Sequence, residues 1–230
     1  MTERGRRRAL PFSELIRTAR RDYTAGAGRI LPPFVVAFVM LRLPLLGIDD
    51  SALANIVTQI VVPVVVGSLL TAAATIVLRP RRGATGSPGL RDLNWLNLLG
   101  ASAIAVALAL LATIIMGPIG LLVQPALLGP PFLMHAIVLE GRPLDDAGKR
   151  AFSLIRRDAR LPLYLLLIAL TLGLVVTVLL GVVAVLTNSF EETTQDIVLV
   201  AAQGALVGLV VPFVAAVGLR SYEDLAAETR

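Results

Sequence analysis

Residues 161–187 read LPLYLLLIALTLGLVVTVLLGVVAVLT, a run of 27 residues without a charged side chain. As an α-helix that rises 1.5 Å per residue, this run is about 40 Å long. The hydrocarbon core of a bilayer is about 30 Å thick, so such a helix crosses it with some tilt. The stretch therefore predicts a transmembrane helix.

Five further stretches have the same apolar character. The chain is 56% hydrophobic and 16% charged, whereas a soluble domain is about 45–50% apolar and about a quarter charged. Six spans of about 20 residues each take up about 120 residues, so only short loops and tails remain. The predicted spans are residues 30–48, 52–78, 93–116, 119–139, 161–187 and 197–219. The predicted fold is an all-α polytopic membrane protein whose six-helix membrane domain covers residues 30–220.

The basic residues indicate the orientation of these spans. Lys and Arg in short loops resist translocation and stay in the cytoplasm. The chain has 21 basic residues, and all of them except Arg42 fall on the side that holds both termini. The opposite loops carry only acids, namely Asp49, Asp50, Glu191, Glu192 and Asp196. The pattern predicts a plasma-membrane protein with both termini in the cytoplasm.

Two amphipathic segments are expected on the cytoplasmic surface. Within the basic N-terminal segment 1–29, apolar residues recur from Phe12 to Tyr23 at helical spacing, opposite Arg17 and Arg20. Residues 143–160 repeat the pattern before the fifth span. Both are interpreted as interfacial helices, and residues 221–230 as a cytoplasmic tail. The two helix-plus-span units resemble each other. They are either copies of a duplicated unit or two spans that each begin on the cytoplasmic side and so have basic residues before them.

Several functional classes are disfavoured by what the sequence contains. It has no cysteine and one histidine, so thiolate metal sites and cysteine nucleophiles are excluded. Gly-rich phosphate loops, HExxH motifs and serine elbows are missing from it. The net charge is +5, and the positions of the basic residues are explained by the topology of the spans. Nucleic acid is therefore not an expected partner. We expect no enzymatic activity, no cofactor and no metal.

A few polar residues within the spans are candidates for a functional site, since ionisable and amide groups at membrane depth are costly. Arg42 could bind an anion, or snorkel toward Asp49 and Asp50. His135 could relay a proton, or simply bond to a neighbouring helix. The amides could line a polar path, or hold helices together. They are Asn55, Gln59 and Gln124.

Small residues recur on two spans. Gly204 and Gly208 form a GxxxG motif on the sixth, and Ala101, Ala105 and Ala109 form a stripe on the third. Such faces allow close approach of backbones. They indicate packing within one bundle or contact in a homo-oligomer.

Two segments resemble a known family. Residues 134–163, MHAIVLEGRPLDDAGKRAFSLIRRDARLPL, and residues 211–230, VPFVAAVGLRSYEDLAAETR, are similar to the membrane domain found in glycerophosphoryl diester phosphodiesterases and in stand-alone prokaryotic membrane proteins. The resemblance implies six spans and membrane localisation, without the catalytic barrel and hence without its hydrolysis. The matching residues are Glu140, Gly141, Ala147, Arg150, Leu154, Pro212, Tyr222, Asp224 and Leu225.

Together these patterns favour a membrane-embedded accessory or scaffold without enzymatic activity. The alternative is a small permease for an anionic or lipid-like solute, which requires a polar cavity at mid-membrane. The expected partners are the bilayer itself, anionic lipids at the cytoplasmic face, and a protein partner or a second copy of the chain.

Overall fold

The computed structural model describes residues 11–42, 56–78, 93–116, 131–157 and 160–227. Every regular element in these ranges is helical. A π-helical turn, Val57–Val61, leads directly into the second α-helix. The α-helices are α1 (Phe12–Arg42), α2 (Val62–Leu78), α3 (Trp95–Met116), α4 (Pro131–Glu140), α5 (Leu144–Arg157), α6 (Arg160–Leu186) and α7 (Glu192–Ala227).

Four of these helices are long and apolar enough to cross a membrane: α1, α3, α6 and α7. The shorter α2, with 17 residues, is also apolar. The described part of the chain is thus all-helical, and its long apolar helices are those of a membrane-embedded protein. The other predicted spans are only partly covered, because residues 43–55 and 117–130 lie outside the described ranges.

The N-terminal helix differs from the sequence prediction. Residues 12–23 are not a separate interfacial helix, because α1 continues without a break to Arg42 through Pro32 and Pro33. The apolar face of its first turns is covered by protein, with Leu15 and Ala19 almost fully buried. An apolar face that packs on the protein core is not available to insert into lipid.

Helix α7 packs along α1 with the two backbones in contact. A Cβ atom on Gly204 would lie 2.8 Å from the Cα of Val39, and one on Gly208 would lie 2.7 Å from the Cα of Val35. Only glycine permits this approach, so the GxxxG motif packs inside the bundle, as one of its two interpretations predicted. The pairing runs antiparallel, which places the start of α1 and the end of α7 at the same end of the bundle.

The stripe of small residues on α3 is also buried within the bundle. Ala105 and Ala109 pack with Ile60 and Val64, which precede and begin α2. Helix α6 lies at the periphery and exposes a long row of aliphatic side chains, including Leu174, Val178 and Val182. In a membrane protein, an exposed aliphatic surface of this kind faces lipid.

Candidate functional site

The candidate site begins where α4 ends. Gly141 has a φ of +66°, the left-handed conformation that glycine adopts at low cost. Its N–H donates to the carbonyl of Ile137 at 3.1 Å and closes the last turn. The chain then passes through residues 141–143 into α5, and Glu140 is the last residue of α4.

The carboxylate of Glu140 joins three elements. The hydroxyl of Tyr222, on α7, donates to its Oε1. The guanidinium of Arg142, in the turn, donates to its Oε2. Arg150, on α5, forms an ion pair with Oε1 at 3.5 Å. We call these four residues, Glu140, Arg142, Arg150 and Tyr222, the Glu140 cluster.

The cluster keeps Glu140 ionised. Burial alone would raise the pKa of its carboxyl group. The hydrogen bonds from Tyr222 and Arg142 and the positive charge of Arg150 outweigh burial and hold the pKa below its usual value of 4.5. The hydrogen bond to Glu140 in turn raises the pKa of Arg142. A carboxylate with this many donors is stabilised as an anion and is poorly suited to general-base work.

Aromatic rings pack around the Tyr222 side chain beneath the cluster. The His135 ring stacks on Tyr222 with centroids 5.8 Å apart and an interplanar angle of 21°, and Phe132 lies 6.0 Å away. His135 is 0% exposed and Tyr222 is 2% exposed. The Tyr222 ring is therefore held on α4 both by packing and by its hydroxyl group.

A second polar contact joins α1 and α7 at the same end. The guanidinium of Arg220 donates to Asp22 on α1 and, at 2.8 Å, to Glu223 one turn along α7. Arg220 and Asp22 are mostly buried, with side chains 14% and 16% exposed. Truncating one partner of such a pair leaves an uncompensated charge, so this contact holds the two helix ends together.

The predicted site residues do not all fall in the described structure. Asn55 and Gln124 lie outside it. Arg42 is the last residue of α1, and Gln59 lies in the π-helical turn; only their backbone is described. His135 alone can be placed fully, and it stacks on Tyr222. Their joint role as a site therefore stays a prediction.

The Glu140 cluster was not among the candidate site residues. Glu140, Arg150 and Tyr222 match the resembled family, whereas Arg142 does not; Glu140 and Tyr222 are 82 residues apart in the sequence. In the structure the two segments that carry the resemblance meet. The apolar residues that carried the resemblance are buried close by in sequence, namely Ala147, Leu154 and Leu225.

The arrangement of the Glu140 cluster suits a structural role. Its charge-assisted hydrogen bonds fix the ends of three elements to one another. No group of three His, Cys, Asp or Glu residues that could hold a metal occurs in the part of the chain that the structure describes.

Comparison with protein-family models, with curated proteins and with solved structures finds no match to this chain.

Proposed function

We propose that this protein is a six-span scaffold or accessory of the plasma membrane, without enzymatic activity, whose two termini face the cytoplasm. The position of the termini in this proposal rests on the antiparallel pairing of α1 and α7 and on the one-sided distribution of basic residues. The Glu140 cluster lies at the end of the bundle where these basic residues gather, so we assign it to the cytoplasmic face.

The second span is the least obvious of the six. Helix α2 and the π-helical turn before it together cover 57–78, 22 residues, and therefore about 33 Å at 1.5 Å per residue. That length matches the hydrocarbon core. Counting α2 as a span places residues 79–91 in the cytoplasm, where their four arginines satisfy the positive-inside rule.

The Glu140 cluster is the observation that carries the scaffold proposal. It joins α4, α5 and α7 through one carboxylate, while Arg220 joins α7 to α1 and the two glycines press α7 against α1. A transporter alternates between arrangements of its helices. Helix ends held by mutually satisfied charges instead suit a fixed surface on which a partner assembles.

The convergence of the Glu140 cluster also supports the proposed membership in the membrane-domain family of glycerophosphoryl diester phosphodiesterases. Glu140, Arg150 and Tyr222 come from the two segments that resemble that family. Because these residues form one hydrogen-bonded unit, the two segments share a structural role. Under this proposal the chain is a stand-alone membrane domain.

A photo-crosslinking amino acid tests the scaffold role in living cells. At Ala227, exposed at the end of α7, the scaffold proposal expects one discrete protein adduct. At Leu174, which is 61% exposed on the lipid-facing side of α6, it expects only lipid adducts. If Ala227 and a second cytoplasmic position, Ser13, both give no protein adduct, the scaffold proposal is wrong.

A small permease is the second candidate, favoured by the π-helical turn at Val57–Val61. The N–H of Val62 donates to the carbonyl of Val57, five residues back, and the next residue is Pro63, which has no N–H to donate. π-Helical turns are frequent at functional sites, and this one contains Gln59. The hydroxyl of Ser68, farther along α2, is buried without a hydrogen-bond partner among the described residues.

Flux measurements separate the two candidates. The full chain is reconstituted into liposomes, and uptake of small organic anions and of phosphate is compared with that of empty liposomes. The scaffold proposal expects equal rates. Saturable uptake that Gln59→Ala abolishes and Gln203→Ala, at a partly buried position of α7, preserves would establish the permease and contradict the scaffold.

A further inference from the structure

Helix α5 has an outer face that the bundle leaves uncovered. Its inner face is buried through Ala147, Ala151 and Leu154. The opposite side presents Phe152, Arg156 and Arg157 at its C-terminal end, all exposed. We call these three residues the α5 outer face. Phe152 is 61% exposed, which is unfavourable for a phenyl ring in water.

The exposed basic residues of α5 differ in whether an acidic side chain pairs with them. Lys149 forms ion pairs with Asp145 at 3.7 Å and with Asp146 at 3.4 Å. Arg156 and Arg157 form no ion pair with any residue in the described ranges. The guanidinium of Arg156 lies over the Phe152 ring, 5.4 Å from its centroid, in a cation–π contact. The C-terminal end of the helix thus combines an aromatic ring with two positive charges that pair with no acidic side chain among the described residues.

The position of this face relative to the membrane follows from the next helix. α6 begins at Arg160, three residues after Arg157, and Leu163 and Leu167 are already exposed to the lipid side at 62% and 53%. Arg156 and Arg157 therefore lie where the hydrocarbon ends and the headgroups begin. The Phe12 and Tyr164 rings, 4.9 Å apart, bring the exposed arginines of early α1 to the same end of the bundle.

We infer that the α5 outer face binds an anionic phospholipid of the cytoplasmic leaflet. Phe152 inserts its ring at the level of the glycerol backbone, as aromatic side chains do at interfaces. Arg156 and Arg157 pair with the headgroup phosphate, whose geometry the planar guanidinium matches. The excess positive charge selects an anionic headgroup over a zwitterionic one.

This inference goes beyond the scaffold proposal. It requires only that the protein is inserted in a membrane and that α5 lies on its cytoplasmic side. A scaffold and a permease could both carry such a site, so failure of one proposal leaves the other standing.

A single tryptophan at the site reports on the bound lipid. Trp95 is the only tryptophan, so Phe152→Trp in a Trp95→Phe background places the only tryptophan of the variant on the α5 outer face. The full chain is reconstituted in nanodiscs with brominated phosphatidylglycerol or brominated phosphatidylcholine. Quenching of the tryptophan fluorescence by the brominated lipid measures its binding. Because each basic residue at the surface contributes about a fivefold preference for anionic lipid, we expect the two arginines to make apparent binding of phosphatidylglycerol about 25-fold stronger than that of phosphatidylcholine.

Matched substitutions test the assignment. Arg156→Gln with Arg157→Gln should bring the two lipids to within about twofold of each other, while Lys149→Gln, on a residue already paired with two aspartates, should leave the preference intact. In a protein that keeps both Trp95 and Phe152, the quenching of Trp95 fluorescence should be the same with and without the double arginine substitution. Equal quenching by both lipids at Phe152→Trp, no quenching by either, or an equal loss on Lys149→Gln would overturn the inference.

Discussion

The hydroxyl of Tyr222 donates a hydrogen bond to the carboxylate of Glu140 across 82 residues of sequence. This contact ties the end of α4 to the end of α7. Arg142 and Arg150 approach the same carboxylate. Glu140 therefore lies at the centre of the interactions that hold one end of the bundle together.

Tyr222→Phe should destabilise the protein while leaving the ring stack with His135 in place. The change removes the donor to a mostly buried carboxylate, and losing such a bond costs about 1–3 kcal/mol. Thermal unfolding in mild detergent measures the effect. Tyr164→Phe is the control, because the ring of Tyr164 packs on Phe12 while its hydroxyl bonds to nothing in the described part of the chain. An equal loss in both variants would remove the special role of Tyr222.

Glu140→Gln should abolish one part of the pH dependence of stability. Since the folded-state pKa of Glu140 is held below 4.5, its contribution is fully present above about pH 4.5 and is lost as the pH falls through the lowered value. The difference in unfolding free energy between wild type and Glu140→Gln should therefore be largest near pH 7 and shrink in acid. Unfolding at several pH values checks this, with Glu191→Gln as the control for removal of an exposed carboxylate. A difference that stays constant down to pH 3 would contradict the account.

Gly208→Ala should separate α7 from α1. The added Cβ would lie 2.7 Å from the Cα of Val35, and backbone cannot move aside as a flexible side chain can. We expect a loss of about 1–3 kcal/mol. Gly181→Ala, on the exposed side of α6 with nothing within 4 Å, should be neutral or stabilise by up to about 1 kcal/mol. Equal unfolding temperatures for the two variants would show that α1 and α7 do not pack as described.

Gly141→Ala should weaken the turn that holds Glu140 and Arg142 together. Its cost arises from the positive φ, because nothing lies within 4 Å of the added Cβ, and is about 1–2 kcal/mol. Gly141→Asn should restore part of that loss, since asparagine tolerates this conformation better. Gly148→Ala, inside α5 with open space around it, provides the comparison. A milder effect at Gly141 than at Gly148 would exclude a strained turn.

The helices themselves could be predicted from the sequence, because hydrophobic length and periodicity are local properties. α6 was predicted at 161–187 and runs from Arg160 to Leu186. The predicted break between the N-terminal amphipathic segment and the first span was wrong. One helix runs through both and passes through Pro32 and Pro33, as membrane helices can when neighbouring groups compensate for the lost hydrogen bonds.

The partners of individual side chains could not be predicted, because they depend on tertiary packing. The GxxxG motif indicated a close helix contact, but nothing local identifies Val35 and Val39 as the opposing residues. Glu140 and Arg150 read as ordinary surface charges at a helix end and on an amphipathic helix. Only the docking of Tyr222 on α4 brings them together, and an aromatic residue near a membrane boundary is expected whether or not its hydroxyl has a partner.

The six-span arrangement is tested most directly by thiol labelling at Ser87. The chain has no cysteine, so a single Ser87→Cys substitution can be probed with an impermeant maleimide in intact cells. If α2 crosses the membrane, residue 87 is cytoplasmic and should be labelled only after permeabilisation. Thr193→Cys, at an exposed position near the start of α7, should be labelled in intact cells. If Ser87→Cys reacts in intact cells as readily as Thr193→Cys, α2 does not span and the six-span account is wrong.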